Sequence, residues 1–106
     1  MTGIRFEWDE AKNLANQRKH GVSFEEARHV FWDPLHLTVN DRVVDGEQRR
    51  QTLGLVKSPI GNFLLLLVAH TIHEDLEPDT FIEVVRIISA RRATPEERKC
   101  YEDENG

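Results

Sequence analysis

Asn62-Phe63-Leu64-Leu65-Leu66-Leu67-Val68-Ala69-His70-Thr71 decides the fold. The stretch is apolar on both faces until its last two residues, the pattern of a central strand covered from both sides. Its apolar run, Phe63 to Ala69, is seven residues, far short of the roughly 20 that a bilayer-spanning helix requires. Upstream, Ser58-Pro59 closes a segment from Glu47 to Lys57. On that segment Glu47, Arg49, Gln51, Leu53 and Leu55 share one face, and Gln48, Arg50, Thr52, Gly54 and Val56 the other. Asp45-Gly46, a pair that tolerates positive φ, joins it by a tight hairpin to Leu35–Val44. Downstream comes an acidic loop, His73 to Asp79, and then Thr80 to Ala90, where Thr80, Ile82, Val84, Arg86 and Ile88 alternate on one face. These four segments read as an antiparallel meander.

The N-terminal third has a different period. Ile4 to Trp8 alternates as a short strand, and Asp9 is a good N-cap for a helix over Glu10–His20 that Gly21 stops. Ala11, Leu14, Ala15 and Arg18 fall at spacings of three and four and predict a thin inward stripe. Ser23-Phe24-Glu25-Glu26 is a capping box that starts a second helix, with Phe24, Ala27, Val30 and Phe31 turned inward, and Asp33-Pro34 ends it. A second box, Thr94-Pro95-Glu96-Glu97, launches a final helix through Tyr101, with a fraying tail from Glu102. The order β-α-α-β-β-β-β-α implies an α+β fold: a twisted, mainly antiparallel sheet with an N-terminal helix pair and a C-terminal helix.

At 106 residues with 39% hydrophobic side chains, the chain is expected to form a single domain over residues 1–106 without disulfide or metal staples. One cysteine, Cys100, and the lack of a basic-then-apolar leader after Met1 point to the reducing cytoplasm. Net charge is −5, which argues against general affinity for nucleic acid. The acids are unevenly placed, however. Glu74, Asp75, Glu77 and Asp79 crowd the loop and Glu102, Asp103 and Glu104 the tail; the remainder has 14 basic and 12 acidic residues and leaves room for a local basic patch.

The five histidines, His20, His29, His36, His70 and His73, lack zinc-site spacing, and no glycine-rich phosphate loop is present. No metal or cofactor is expected. What remains is a set of arginines on or beside strands, with Glu47 and His70. Cleaving RNA without a metal needs a base for the 2′-hydroxyl, an acid for the leaving 5′-oxygen, and cations for the phosphorane. Arginine suits the last task because its planar fork grips phosphate in two places. Arg86 interrupts an apolar face, so it needs a cleft or a carboxylate partner such as Glu47. Lys19 and His20 also read as plain helix termination, Arg91 and Arg92 as a solvated corner, and His70 as a hydrogen-bonded structural residue.

Three blocks, Phe6-Glu7-Trp8-Asp9-Glu10-Ala11-Lys12, Arg18-Lys19-His20-Gly21-Val22-Ser23-Phe24-Glu25-Glu26-Ala27 and Asp33-Pro34, resemble the N-terminal half of the BrnT toxins. Gly46-Glu47-Gln48-Arg49, Ala69-His70-Thr71 and Arg86-Ile87-Ile88-Ser89-Ala90-Arg91-Arg92-Ala93-Thr94, followed by Glu97 and Tyr101, are similar to the rest in the same order. The resemblance implies a RelE-like fold, an endoribonuclease that inhibits translation, and a BrnA-like ribbon-helix-helix antitoxin that makes any DNA contact. It also implies an active cleft at Lys19, His20, Glu47, Arg49, Arg86 and Arg91. The competing readings are a non-catalytic subunit of an antitoxin-like complex that regulates transcription, and direct DNA binding, for which no basic recognition helix is visible.

Overall fold

The apolar run at Phe63–Ala69 lies in the middle of the sheet, where its two-faced pattern puts it. The computed structural model describes residues 2–106. Strands β1 (Thr2–Glu7), β2 (Leu37–Val44), β3 (Glu47–Lys57), β4 (Phe63–Glu77) and β5 (Thr80–Arg92) form one sheet in the order β1-β5-β4-β3-β2. Strands β2 to β5 pair antiparallel, and β1 lies parallel to β5. Asp45 and Gly46 take φ of 51° and 77°, as a tight hairpin turn requires.

Three helices accompany the sheet. Helix α1 (Glu10–His20) starts where the Asp9 carboxylate accepts the Ala11 and Lys12 N–H groups, and it ends at Gly21 with φ 71°. Helix α2 (Phe24–Ala27) opens on the Ser23–Glu26 capping box and tightens into a 3₁₀ turn over Arg28–Trp32. Helix α3 (Pro95–Asn105) opens on the Thr94–Glu97 box.

The α2 side carries the larger core. Phe24, Ala27 and Val30 are fully buried against Leu66, Val68 and Val85. Here the 3₁₀ turn rests directly on β3: a Cβ added at Gly54 would stand 2.7 Å from the Val30 carbonyl oxygen. On the opposite face α3 covers only one end of the sheet, where Tyr101 packs with Leu53, Leu65 and Leu67. Asp33 ties the two layers together. Its Oδ2 accepts the Leu55 N–H at 2.8 Å and the Tyr101 hydroxyl at 2.5 Å, and its Oδ1 accepts the Leu35 N–H.

Four expectations change. The inward residues of α1 are Asn13 and Asn16, while Leu14 is half exposed. The reason is that both meet backbone groups: Asn13 Oδ1 accepts the Phe24 N–H at the start of α2, and Asn16 faces the edge of β5. The Asn16 carboxamide accepts the Ala90 N–H and donates to the Ala90 carbonyl, as a neighbouring strand would. The acidic loop is not a loop, because β4 runs to Glu77 and β5 begins at Thr80, leaving Pro78-Asp79 as a two-residue turn with Asp79 at φ 63°. The tail is helical to Asn105, whose amide donates to the Leu35 and Tyr101 carbonyls. Finally, Arg86 and Ile88 do not alternate on one face. The pairing of β4 with β5 steps from Ala69–Ser89 to His70–Ile87, so Ile88 is a bulge and Arg86, Ser89 and Arg91 share a face.

Candidate functional site

The arginines stand on the sheet face opposite α2, which α3 covers at one end. Alternation along β3 and β4 and the bulge in β5 place Arg49, Gln51, Thr71, Arg86, Ser89 and Arg91 on it. Glu7 joins them from β1, since its partner in the parallel ladder is Arg86. The Arg86 guanidinium stands 3.7 Å from the Glu7 carboxylate, and both side chains are about two-fifths exposed, at 43% and 39%. This is a loose, wet pair of the kind that contributes little to stability. The carboxylate partner required by Arg86 is therefore Glu7.

Arg91 is held differently. Its fork donates to both Glu97 oxygens at 2.8 and 3.0 Å, while the same Glu97 accepts the Thr94 N–H of the capping box. That geometry holds the Glu97 carboxyl below its ordinary range, the Arg91 hydrogen bond being the largest cause, and raises Arg91 further. Arg91 thus clamps α3 to the end of β5 and borders the open face.

Glu47 lies exposed at the base of the β2–β3 turn, two residues before Arg49. Lys19 and His20 lie in the last turn of α1, one turn beyond the Asn16–Ala90 junction and so near the Arg91 end of β5. The strand arginines Arg49 and Arg86 are brought together; Glu47, Lys19 and His20 stand at its margins with no ion pair among the described residues.

His70 is withdrawn from solvent altogether. It is fully buried on the α2 side, its ring edge-on to Phe31 at 5.0 Å, and its Nε2 is 2.8 Å from the Thr52 hydroxyl, which meets Thr38 at 2.8 Å. Burial foremost pushes its pKa down to about 4, so the imidazole is neutral and structural. Tyr101 likewise serves the frame: burial, then its bond to Asp33, pushes the phenol up to about 12.

Glu7 and Thr71 are the members of this face that sequence reasoning missed. Thr71 is fully buried directly beside Arg86. Alternation could have put Thr71 on the Arg49 face, whereas the parallel pairing of β1 with β5 has no local signal. At the α3 end the face closes into a hollow of about 170 Å³ lined by Leu37, Val39, Leu53 and Leu67 with Gln51 and Glu97 at its edge. Larger hollows, beside Gly3 and Phe81 and beside Trp32 and Phe63, contain no member of the candidate set. Among the described residues no group of three or more His, Cys, Asp or Glu stands together to hold a metal ion, and no helix is long and apolar enough to cross a membrane.

No curated protein matches the chain. The family model described as "Ribonuclease toxin, BrnT, of type II toxin-antitoxin system" matches residues 8–97, which takes in everything from Trp8, just before the α1 cap, to Glu97 in the second capping box. A ribonuclease toxin of this type has an antitoxin as its partner, and the chain belongs to the BrnT family of type II toxin–antitoxin ribonuclease toxins.

Proposed function

We propose that the chain is a metal-independent endoribonuclease of RelE-like fold, acting in the cytoplasm as one toxin domain over residues 1–106. In this reading α1 and α2 are its N-terminal helix pair. It cuts RNA on the open sheet face, halts translation, and is neutralised by a BrnA-like ribbon-helix-helix antitoxin through which alone it meets DNA. The observation that carries the reading is Arg86, an arginine on an open strand face that its carboxylate neighbour Glu7 holds loosely at 3.7 Å. A guanidinium so placed exchanges Glu7 for a phosphate at small cost, and phosphate accepts its fork in two places.

The chemistry assigned to the face is in-line attack of an RNA 2′-oxygen on the adjacent phosphorus. The P–O5′ bond breaks, leaving a 2′,3′-cyclic phosphate and a 5′-hydroxyl. The 2′-proton passes to a base, and a second proton is delivered to the departing 5′-oxygen. Arg86 and Arg49 stabilise the charge that grows on the phosphorane, with Arg91 and Lys19 adding positive potential at the border. Exposed Glu47, which alternation puts on the Arg49 face of β3, is the proton carrier of the set nearest to Arg49 and takes one of the two proton-transfer roles, while half-buried His20 lies at the Arg91 border. A shallow open face suits an extended polyanion, and the neighbouring apolar hollow offers a place for one base.

Induced expression without antitoxin tests this reading in cells. Incorporation of a labelled amino acid is expected to stop with the wild-type chain and to continue with an Arg86→Ala variant that still binds antitoxin. Arrest that persists in the variant would favour a non-catalytic role in an antitoxin complex.

A further inference from the structure

One row of side chains crosses four neighbouring strands on the open face. It reads Arg49 on β3, Thr71 on β4, Arg86 on β5 and Glu7 on β1: Thr71 pairs with Arg86, Arg86 with Glu7, and Arg49 is the next residue after the Arg50–His70 pair. A strand spacing of about 4.8 Å puts the two arginine Cα atoms about 10 Å apart with Thr71 midway. The Thr71 side chain is fully buried, and its hydroxyl has no hydrogen-bond partner among the described residues. Arg49 Nε is buried and unpartnered as well. Buried donors are paired in native proteins with few exceptions, and an orphan costs stability that an apolar isostere such as valine would not. Thr71 Oγ1 and Arg49 Nε are thus two orphans on neighbouring strands of one row, with the loosely held Arg86 on the next strand.

We infer that Arg49, Thr71 and Arg86 form a latent cradle for an RNA phosphate, with Thr71 a binding residue whose hydroxyl donates to a non-bridging oxygen. The inference rests on the RNA-cleaving reading and adds the group that receives the phosphate. In the resting protein Arg86 leans to Glu7 on β1; when its fork turns back to a phosphate over β4, the Thr71 hydroxyl and Arg49 Nε gain their acceptor. A tetrahedral phosphate satisfies donors from both flanks and from below at once, which the two oxygens of a planar carboxylate do less well. Glu7 acts as the placeholder that keeps Arg86 over the row until RNA arrives.

The test compares Thr71→Val and Thr71→Ser with wild type in the full chain, using urea unfolding, affinity for a 2′-O-methyl RNA oligonucleotide that cannot be cut, and cleavage of the unmodified RNA. The valine variant is expected to be at least as stable as wild type, because it removes an orphan hydroxyl. Its affinity and cleavage are expected to fall about tenfold or more, and the serine variant to restore both. A valine variant that binds and cleaves as wild type overturns the cradle while leaving the ribonuclease reading intact. A valine variant that is destabilised and not rescued by serine also overturns it, since the hydroxyl then has a structural partner. Thr71-dependent binding without any cleavage by wild type sinks the ribonuclease reading and leaves the cradle standing.

Discussion

Acidification should weaken this protein through one histidine, well before its carboxylates titrate. His70 is fully buried, hydrogen-bonded through Nε2 to Thr52 and set edge-on against Phe31, with Nδ1 unpartnered among the described residues. Burial, and after it the positive charge of Arg50, lowers its pKa from 6.5 to about 4. A group depressed in the folded state contributes its full stability above the unfolded value and loses it as pH falls towards the folded one. The drop from 6.5 to about 4 is worth about 3 kcal/mol in full, and about 2 kcal/mol of it disappears between pH 7.5 and 5. Asp33 and Glu97 are also depressed, from 3.8 and 4.5, so their losses fall mainly below pH 5. Urea unfolding of wild type and His70→Gln at the two pH values isolates the imidazole. The variant starts less stable because it loses the ring, yet its decline on acidification should be smaller by about 2 kcal/mol. Parallel declines in the two proteins would refute a neutral buried His70 and return it to the list of proton carriers.

Further outcomes follow from the same packing. Gly54→Ala forces a Cβ to within 2.7 Å of the Val30 oxygen and 2.8 Å of the Val30 Cβ, and should cost about 1–3 kcal/mol of unfolding free energy as overpacking; unchanged stability would mean that the 3₁₀ turn yields freely. Asn16→Ala leaves both polar groups of Ala90 unpaired and should cost about 2–4 kcal/mol, whereas Leu14→Ala, at a half-exposed position, should cost less than about 1 kcal/mol; the reverse order by denaturant titration would restore the apolar-stripe reading of α1. Tyr101→Phe removes the hydroxyl that donates to Asp33 and should lower stability by about 1–2 kcal/mol, with equal thermal unfolding midpoints counting against that bond.

The strands, caps and turns were legible in the sequence because each is written locally. The two-faced run at Phe63–Ala69, Asp45-Gly46, and the boxes at Ser23 and Thr94 all rest on interactions within a few residues, and each stands where its pattern put it. What misled is what depends on distant chain. Ala11, Leu14, Ala15 and Arg18 read as the inward stripe because a helix is expected to pack by apolar side chains, yet α1 turns Asn13 to the Phe24 amide of α2 and Asn16 to the bare edge of β5 at Ala90. The acids at His73–Asp79 read as a loop because their charge hides a period-two ribbon, with the turn carried by Pro78-Asp79 alone. For the site, Arg49 and Arg86 were legible as strand-borne cations. Their meeting with Glu7 and Thr71 depends on a parallel first strand and a bulge at Ile88, and neither leaves a mark in the local sequence.

Metal-free cleavage through Arg86 is tested by incubating purified, antitoxin-free protein with labelled RNA in EDTA, beside an Arg86→Ala variant shown to fold natively. Wild type is expected to cleave with no loss on chelation, and the variant to lose about 10²–10³-fold, the size expected when a group that stabilises transition-state charge is removed. Intact RNA with wild type, cleavage that returns only when a metal is added, or a variant that cuts as fast as wild type would contradict that mechanism.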